Sequence, residues 1–457
     1  MKRYGWRNLT YDTDIIIIGA GVAGLSASKI LSEHNIPHKV FEASHRIGGR
    51  AYSEAFKDGS WFDLGCSYLH EGATNPITNI AHGLDIALGD GDQFAFDKWQ
   101  FGAGIASQDA DFRRRFFDFF EQCQAAMEAQ SIAPNSPDRD DSPDSDDSDD
   151  MAEYIDWDSP FAPVFNHCMA GLCAADIAGL SVRDYLNAGS GLDYAVADGL
   201  GNLILRWAAD VNVEKNCAVQ AIDWAANHVS VTTNKGTCTA KKVLITVSTN
   251  ILLSGMIRFT PELPDPMMSA ITALPCGVLN KIGISFAPAT FSDDMAGWHV
   301  ACPHNDAANN MAEDDGFVGS VDINIYPRGK LSSGGGNTHQ QAVVFAGGSH
   351  GEYLEKQGTA ALIDYAHQTM THLFGHDIMG NKDSIITTAW ASDPWALGAY
   401  SYASSGASTM RQTLMEAVED TLFFAGEAAS ISHYGTCHGA FISGRDAASR
   451  MMSAKRG

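Results

Sequence analysis

Lys281 is the residue whose type and position most need a chemical explanation. It lies in the segment GVLNKIGISF, residues 277–286, where apolar residues alternate along the chain and predict a β-strand. Such a strand is a costly place for an ammonium group unless the group has partners. The residues alone leave two interpretations open. Lys281 is either a strand-end lysine that extends its charge to water, or a functional cation with a lowered pKa.

A second set of residues has the spacing of a dinucleotide-binding turn. The segment DIIIIGAGVAGL places Gly19, Gly21 and Gly24 in G-x-G-x-x-G spacing, after an apolar run and before a helical pattern. Gly19 permits a tight turn, Gly21 lets the backbone approach a pyrophosphate, and Gly24 lets helix and strand pack closely. Glu42 ends the next predicted strand, where an acidic residue accepts hydrogen bonds from a ribose. The helix N-terminus would face the anion.

The segment after Glu42 favours FAD over NAD. It reads ASHRIGGRAYS and brings a second glycine pair and two arginines that a simple NAD fold does not contain. Arg46 and Arg50 have the fork geometry that holds phosphate oxygens. The alternative for either arginine is a surface ion pair.

The surrounding sequence alternates between predicted strands and helices. Residues 14–50 have the pattern of a strand, a glycine-rich turn, a helix and a strand, and a helix is predicted over 359–375, ending at Gly375. A strand, a loop and a helix close the chain in residues 421–457. Further strands are predicted within residues 211–247, 278–286 and 341–347. This order predicts an α/β protein of two domains that the chain crosses more than once.

Composition argues against several classes of function. The 457-residue chain has a formal net charge of -25, which disfavours nucleic acid and anionic membranes as partners. No stretch has the roughly 18 uncharged apolar residues of a membrane span. The N-terminus lacks the apolar core of a signal peptide, so we expect a cytoplasmic protein. The nine cysteines match no zinc spacing and are expected to be reduced, and no metal site is predicted.

Residues 135–150, NSPDRDDSPDSDDSDD, form an acidic segment with almost no apolar residue. Such a segment cannot bury enough surface to fold alone, so we predict a mobile surface loop. Calcium binding is the weaker alternative, because the glycine and the terminal glutamate of an EF-hand loop are missing.

These motifs, with others along the chain, resemble those of the flavin amine oxidase family, which includes monoamine oxidases, polyamine oxidases and lysine-specific histone demethylases. The resemblance covers DIIIIGAGVAGL, VFEASHRIGGR, FDLGCSYLHEGATNPI, DGLGNLILRWA, VEKNCAVQAI, KVLITVSTNIL and LNKIGISF. Near the C-terminus it covers AWASDPWALGAYSY, LFFAGEAAS and YGTCHGAFISGRDAA. Residues 81–195 and 290–380 match poorly, and these regions shape substrate specificity in such proteins.

The resemblance implies a Rossmann-like FAD-binding domain interleaved with a substrate domain of mixed sheet and helices. The FAD-binding domain would comprise residues 1–80, 195–288 and 385–457, and the substrate-binding domain residues 81–194 and 289–384. FAD would be non-covalent, because Ala399 stands where monoamine oxidases carry the cysteine that bonds FAD. Beside the glycine turn and Glu42, the implied cofactor contacts are Arg46, Gly48, Gly49, Arg50, Val219, Trp390, Gly426, Glu427, Thr436 and Cys437.

The resemblance also implies hydride transfer from the carbon beside a neutral amine to flavin N5. The imine product would hydrolyse to an aldehyde or ketone, and O2 or another acceptor would reoxidise the flavin. Lys281 matches the lysine that holds a water against N5, and Tyr400 matches one aromatic wall of the amine pocket. Thr436 replaces the second tyrosine of monoamine oxidases, which favours the polyamine oxidase side of the family. His70 corresponds to a histidine of animal polyamine oxidases, as a proton relay or a partner of a second amine; a structural histidine is the equal alternative.

The expected partners are a small-molecule amine and an electron acceptor, without nucleic acid or membrane, for a monomer or homodimer. Trp395, His433 and Tyr434 are further candidates for lining the pocket.

The main alternative to an amine oxidase is a flavin desaturase or isomerase acting on carotenoid-like or porphyrinogen substrates. Such proteins share the N-terminal motif but tend to lack the features of Lys281 and Tyr400. An FAD-binding protein without catalysis is the third possibility.

Overall fold

The computed structural model describes residues 11–91, 99–102, 110–131, 149–225, 228–301, 317–325 and 340–453. Its strands are β1 (Ile15–Ile18), β2 (His38–Phe41), β3 (Ser53–Ala55), β4 (Trp61–Asp63), β5 (Tyr68–Leu69), β6 (Leu88–Gly91), β7 (Gln100–Gly102), β8 (Asp193–Val196), β9 (Val213–Glu214), β10 (Val219–Asp223), β11 (Val229–Thr233), β12 (Gly236–Ala240), β13 (Lys242–Ile245), β14 (Arg258–Thr260), β15 (Leu279–Phe286), β16 (Gly297–Ala301), β17 (Gly319–Ile325), β18 (Gln340–Gly347), β19 (Lys382–Thr387) and β20 (Leu422–Phe424). Its helices are α1 (Val22–Glu33), α2 (Pro76–Gly83), α3 (Ala110–Ser131), α4 (Ala162–Cys173), α5 (Val182–Leu186), α6 (Leu200–Trp207), α7 (Thr249–Leu253), α8 (Asp265–Ala273), α9 (Gly348–Gln357), α10 (Thr359–Phe374), α11 (Met410–Met415) and α12 (Cys437–Ser453). Short 3-10 helices lie at Met151–Tyr154, Asp293–Met295, Ile378–Asn381 and Glu427–Ala429.

A five-stranded sheet in the order β20-β13-β1-β2-β9 forms one layer, and every neighbouring pair in it is parallel. All four isoleucines of β1 are buried, as expected for a strand of a parallel sheet covered on both faces. Helix α1 packs against α12, and Gly444 permits the close approach, because a Cβ there would overlap Ala23 O. The strand, turn, helix and strand predicted for residues 14–50 are confirmed.

A six-stranded sheet in the order β19-β15-β18-β17-β16-β7 forms a second layer. Its neighbouring strands are antiparallel except for β16 and β7. The alternation predicted for β15 is confirmed: Ile282 and Ile284 pack in the apolar core that includes residues of α10. Lys281 and Gly283 lie on the opposite face, toward residues 62–67. The strand therefore presents its lysine to the other half of the molecule.

Three smaller sheets accompany the two large ones: β12-β11-β10-β14, β5-β8-β6 and the hairpin β3-β4. Strand β15, which the sequence assigned to the FAD-binding domain, pairs with β18 on one side and β19 on the other. Strand β18 belongs to the predicted substrate domain, so β15 lies where the two predicted domains meet. The exact domain boundaries stay a prediction.

The acidic segment predicted as a mobile loop is fixed at its C-terminal end. Most of it, residues 132–148, lies outside the described residues. Asp149 is buried, and its carboxylate accepts hydrogen bonds from the amides of Arg183 and Gly406, both at 2.9 Å. Asp150 accepts from the amide of Ala152 at 3.0 Å and caps the 3-10 helix that follows. The prediction is wrong for these two aspartates, because they pair with backbone amides rather than with water.

The structure bears on two expectations from composition, the lack of a membrane span and the reduced state of the cysteines. In the described ranges, no helix is both long enough and apolar enough to cross a membrane. Eight cysteines are free thiols, and the ninth, Cys302, lies outside the described residues. Burial raises the pKa of Cys168 and Cys173 to about 12, which keeps both thiols protonated near neutral pH.

His167 in α4 makes stability depend on pH. Burial, and then the nearby His350, lower the pKa of His167 to about 4, and its Nε2 lies 3.0 Å from Ser320 Oγ. The unfolded chain takes up this proton near pH 6.5, whereas the folded chain takes it up only near pH 4. Stability is therefore lost as the pH falls from 6.5 toward 4, by up to about 1.4 kcal/mol per pH unit.

In urea unfolding at pH 7, 6 and 5, His167→Gln should reduce this dependence of the free energy of unfolding on pH. His376→Gln, at an exposed site, should not, and equal slopes in both variants would remove the assignment.

Candidate active site

One cavity of about 960 Å³ runs from the turn after β1 to the face of β15 and the loop before α12. Of the residues that the sequence singled out, only Gly24 does not line it. The predicted residues that do are Gly19, Gly21, Glu42, Arg46, Gly48, Gly49, Arg50, His70, Val219, Lys281, Trp390, Trp395, Tyr400, Gly426, Glu427, His433, Tyr434, Thr436 and Cys437. The structure thus gathers into one place residues that are up to several hundred positions apart in sequence.

The glycine turn has the geometry that its spacing predicts. Gly19 has φ 100°, in the left-handed region that favours glycine. A Cβ on Gly24 would overlap Gly19 O, so Gly24 serves the packing of helix on strand. A Cβ on Gly21, by contrast, would meet no protein atom within 4 Å. The backbone at Gly21 therefore faces open cavity, which is what close approach of a pyrophosphate requires.

Glu42 and Arg46 organise the loops around this turn. Glu42 accepts hydrogen bonds from Ala20 N (2.7 Å) and Ser44 N (2.8 Å), so its carboxylate ties the turn after β1 to the turn after β2. Arg46 donates to Gly49 O at 2.5 Å, and its guanidinium stacks 4.1 Å from the ring centroid of Tyr52. Within the described chain Arg46 forms no ion pair, so the surface-ion-pair interpretation is wrong for it.

Arg50 and Glu427 form a partly buried ion pair at 2.9 Å. Glu427 also accepts hydrogen bonds from Ser401 N (3.1 Å), Ser401 Oγ (2.7 Å) and Gly435 N (2.9 Å). Burial alone would raise the pKa of Glu427, but Arg50 and the other donors outweigh it and lower the pKa. The carboxylate therefore joins three segments of the cavity wall while it remains charged.

A second buried ion pair supports this wall and was missed from the sequence. Arg411 is fully buried and donates to both carboxylate oxygens of Asp184, at 2.7 and 2.8 Å. Its guanidinium lies 3.8 Å from the ring centroid of Tyr434, whose hydroxyl donates to Asp184 O at 3.1 Å. The two charges are 227 positions apart in sequence, and no local pattern relates them.

Lys281 is buried within β15 and not at a strand end, so the water-exposed interpretation is wrong. Its ammonium group donates to Gly65 O (2.5 Å), Ser67 Oγ (2.5 Å) and Asp63 O (3.2 Å). Burial lowers its pKa, which the nearby carboxylate of Asp63 partly counteracts. The three acceptors are the partners that a buried ammonium group requires.

Tyr400 and Thr436 both line the cavity, and the Tyr400 ring lies beside Gly435, the residue before Thr436. The hydroxyl of Tyr400 is directed at the carbonyls of Gly171 (3.0 Å) and Leu172 (2.9 Å), which fixes the ring against α4. Gly435 has φ 69°, and a Cβ there would lie 3.2 Å from the Tyr400 ring. Thr436 donates to His433 O (2.7 Å) and accepts from Gly439 N (3.0 Å), so its hydroxyl caps α12. Tyr400 is thus held as a wall by two separate contacts.

His70 lies at the open side of the cavity, with 44% of its side chain exposed. Its Nδ1 is 2.9 Å from a carboxylate oxygen of Asp193. Because a carboxylate only accepts, Nδ1 carries the proton in the neutral ring and Nε2 is left as an acceptor. His70 is therefore not a core histidine.

Three aromatic rings that sequence reasoning missed form a further wall. Trp298 lies between Trp99 and Phe345, with ring centroids 5.5 and 4.9 Å away and interplanar angles of 22° and 27°. All three line the cavity. They belong to the regions that match the family motifs poorly, and only the abundance of aromatic residues there hints at such a wall.

The cavity combines a nucleotide-binding turn with a pocket walled by aromatic rings, an arrangement typical of dinucleotide-dependent oxidoreductases. Comparison with protein families is more specific. The model of the flavin containing amine oxidoreductases matches residues 22–452. The chain belongs to this family.

Individual relatives and solved structures agree with this assignment. The chain is 27% identical to probable polyamine oxidase 4 of Arabidopsis thaliana over 94% of this chain and 85% of that protein. It is 25% identical to human lysine-specific histone demethylase 2 over 97% of this chain, but spans only 54% of the demethylase. It is similar in fold to cyclohexylamine oxidase from Brevibacterium oxydans IH-35A, with TM-score 0.73 and 19% identity over 96% and 98% of the two chains. Wild-type putrescine oxidase bound to putrescine gives TM-score 0.73 and 16% identity over 97% and 99%.

FAD is the cofactor of this family, and the residues of the cavity fit it. The open space beside Gly21 provides room for a pyrophosphate, and Arg46 and Glu42 border the same end of the cavity. Ala399 offers no thiol at the position of covalent attachment, in agreement with non-covalent binding.

The two glycines of the turn should separate folding from cofactor binding. Gly24→Ala is expected to lower the free energy of unfolding by about 1–3 kcal/mol, because its Cβ would overlap Gly19 O. Gly21→Ala should fold normally and bind FAD about tenfold more weakly, because its methyl group would occupy the open space. Urea unfolding and FAD titration of both variants test this. Unchanged FAD affinity in Gly21→Ala would contradict the placement of the cofactor.

Proposed function

We propose that this chain oxidises an alkyl amine at bound FAD, with a diamine, polyamine or cyclic amine as the substrate class. This proposal depends on one continuous cavity, which joins the glycine turn after β1 to a pocket bounded by Lys281 and Tyr400. The chemistry that FAD supplies when bound is acceptance of a hydride from the carbon beside the amine nitrogen. The resulting imine hydrolyses to an aldehyde or ketone.

The aromatic walls would exclude water and orient the amine. Tyr400 is fixed by its bonds to α4, and Trp298 by stacking between two other rings. A desolvated pocket favours the neutral amine, because burial penalises a cation. The Lys281 ammonium group, which donates three hydrogen bonds at the same pocket, would favour the neutral amine further.

His70 would handle the proton that the substrate ammonium must lose. Asp193 holds Nδ1, so Nε2 is available to accept a proton and pass it to water at the open side of the cavity.

The first amides of α12 have no acceptor within the helix and would stabilise negative charge beside them. Thr436 fixes the direction of these amides by capping the helix.

The relatives support this substrate class and leave the individual substrate open. One structural neighbour was solved with putrescine, and another is named for cyclohexylamine. The chain spans about half the length of the lysine-specific demethylases that it matches, and a net charge of -25 suits small cations better than chromatin. A cytoplasmic location, a monomeric or homodimeric state, and O2 as the acceptor stay predictions.

Product analysis on an amine panel tests the proposal. The enzyme is incubated in air, and separately with a dye acceptor, with putrescine, spermidine, cyclohexylamine, benzylamine and a methyl-lysine peptide. We expect aldehyde or ketone from an alkyl amine and little product from benzylamine.

Tyr400→Ala should slow product formation about 10²-fold by releasing the substrate from its reactive position, whereas Tyr353→Ala, at an exposed site, should not. Equal rates in the two variants would remove Tyr400 from the pocket wall.

A further inference from the structure

Glu71, His433 and His438 form a cluster on the cavity wall that the proposed oxidation does not use. One donor atom from each residue lies within 4.8 Å of the donor atoms of the other two. His433 Nδ1 is 3.6 Å from Glu71 Oε2, and the two imidazole centroids are 4.5 Å apart at an interplanar angle of 50°. The cluster thus brings two imidazoles and one carboxylate to a common volume.

The two histidines have buried nitrogens without hydrogen bonds. His433 Nδ1 and His438 Nε2 are both inaccessible to solvent, and neither has a hydrogen-bond partner among the described residues. The 3.6 Å separation from Glu71 is too long for a hydrogen bond. Buried polar atoms in native proteins are nearly always partnered, so two such nitrogens beside one carboxylate indicate an additional partner.

Three separate segments are shaped to bring the ligands together. Glu71 follows β5 and lies against Gly189, where a Cβ would overlap the carboxylate oxygen Oε1. His438 belongs to the first turn of α12 and is 3% exposed. The loop that carries His433 packs directly on this helix, because a Cβ on Gly439 would overlap His433 O. Glycine at positions 189 and 439 is therefore needed for the cluster to form.

We propose that Glu71, His433 and His438 bind one divalent transition-metal ion of the zinc class. Two imidazole nitrogens and one carboxylate oxygen are ligands of Zn²⁺ and its first-row neighbours, whereas Ca²⁺ and Mg²⁺ prefer oxygen alone. Bond lengths of about 2.0–2.1 Å place the ligand atoms of a tetrahedral site roughly 3.4 Å apart. The His433–Glu71 pair already has nearly this separation.

The charge of Glu71 and a free fourth coordination position are the two remaining features of the site. The positive end of the α12 dipole opposes a nearby cation, and the charge of Glu71 offsets this effect. Three protein ligands leave a fourth position for water or for a donor group that enters from the cavity. Binding of the ion does not depend on the proposed amine oxidation.

Zinc titration of the intact flavoprotein tests the proposal. The holoprotein is dialysed against a chelator and then titrated with ZnCl2 by calorimetry, with metal analysis after removal of free zinc. We expect one Zn²⁺ per chain, undisturbed by Ca²⁺. His433→Ala and Glu71→Gln should each weaken binding at least about tenfold. His376→Ala, at an exposed site, should bind as the unmodified protein does.

The flavin absorbance spectrum establishes that each variant is folded and loaded, and His433→Ala is preferred to a change at the buried His438 for this reason. Equal zinc affinity in the unmodified protein, His433→Ala and Glu71→Gln would overturn the proposal. Absence of zinc binding by the unmodified holoprotein would overturn it as well.

Discussion

Lys281→Met is expected to leave FAD bound and to lower turnover by about 10²-fold, the lower end of the usual scale for loss of one positioned electrostatic donor at a reaction site. The ammonium group lies where β15 meets the loop of residues 63–67, at the wall of the cavity. Methionine keeps the length of the side chain and removes its charge and all three donors. Flavin absorbance, the anaerobic rate of flavin reduction and the rate of reoxidation should be measured separately, because the loss can fall on either half of the cycle.

Lys356→Met provides the matched control. Lys356 is exposed in α9, and its one ion pair among the described residues is with Glu352, one helical turn away. This variant should retain full turnover. If Lys281→Met also retains it, the three hydrogen bonds of Lys281 serve the fold alone and the family-based role is wrong for this chain.

Glu427→Ala is expected to reduce the free energy of unfolding by about 3 kcal/mol and to release FAD. The substitution leaves Arg50 without its counter-ion and removes the acceptor of three further hydrogen bonds. We choose the lower end of the range for a broken buried pair because the Arg50 side chain is 26% exposed. Urea unfolding and the flavin content after gel filtration measure the two effects.

Asp210→Ala, which removes an exposed carboxylate instead of a buried one, is the control for this second prediction. Lys29 pairs with Asp210 at 2.5 Å, but the aspartate side chain is 75% exposed. Surface pairs of this kind contribute about 0–1 kcal/mol, so the variant should keep its stability and its flavin. A similar loss of stability in both variants would show that the Arg50–Glu427 pair has no special role.

The parts of the fold that were predicted correctly have local patterns. The glycine turn depends on backbone geometry within six residues, and the orientation of β15 depends on alternation within one strand. Helix α10 ends before Gly375, which has φ 87° as a helix-ending glycine should. In each case the physical cause and the residues that reveal it lie in the same short segment.

The parts that were missed depend on contacts between distant segments. Arg411 and Asp184 meet only after α5 and α11 have packed, and the ring stack around Trp298 joins β16 to β18 and residue 99. Asp149 belongs to an acidic run whose composition suggested mobility, but tertiary contacts give its carboxylate two amide donors. The acceptors of Lys281 lie more than 200 positions away in sequence, so the strand predicted its position but not its partners.

Anaerobic mixing of the purified flavoprotein with alkyl amines tests the central claim most directly. We infer that the cavity places an amine where bound FAD oxidises it. We predict that putrescine, spermidine or cyclohexylamine will bleach the oxidised flavin absorbance in the absence of O2, with one equivalent of imine-derived carbonyl product per flavin. A protein that retains FAD but whose flavin is bleached by no amine of the panel would contradict the account.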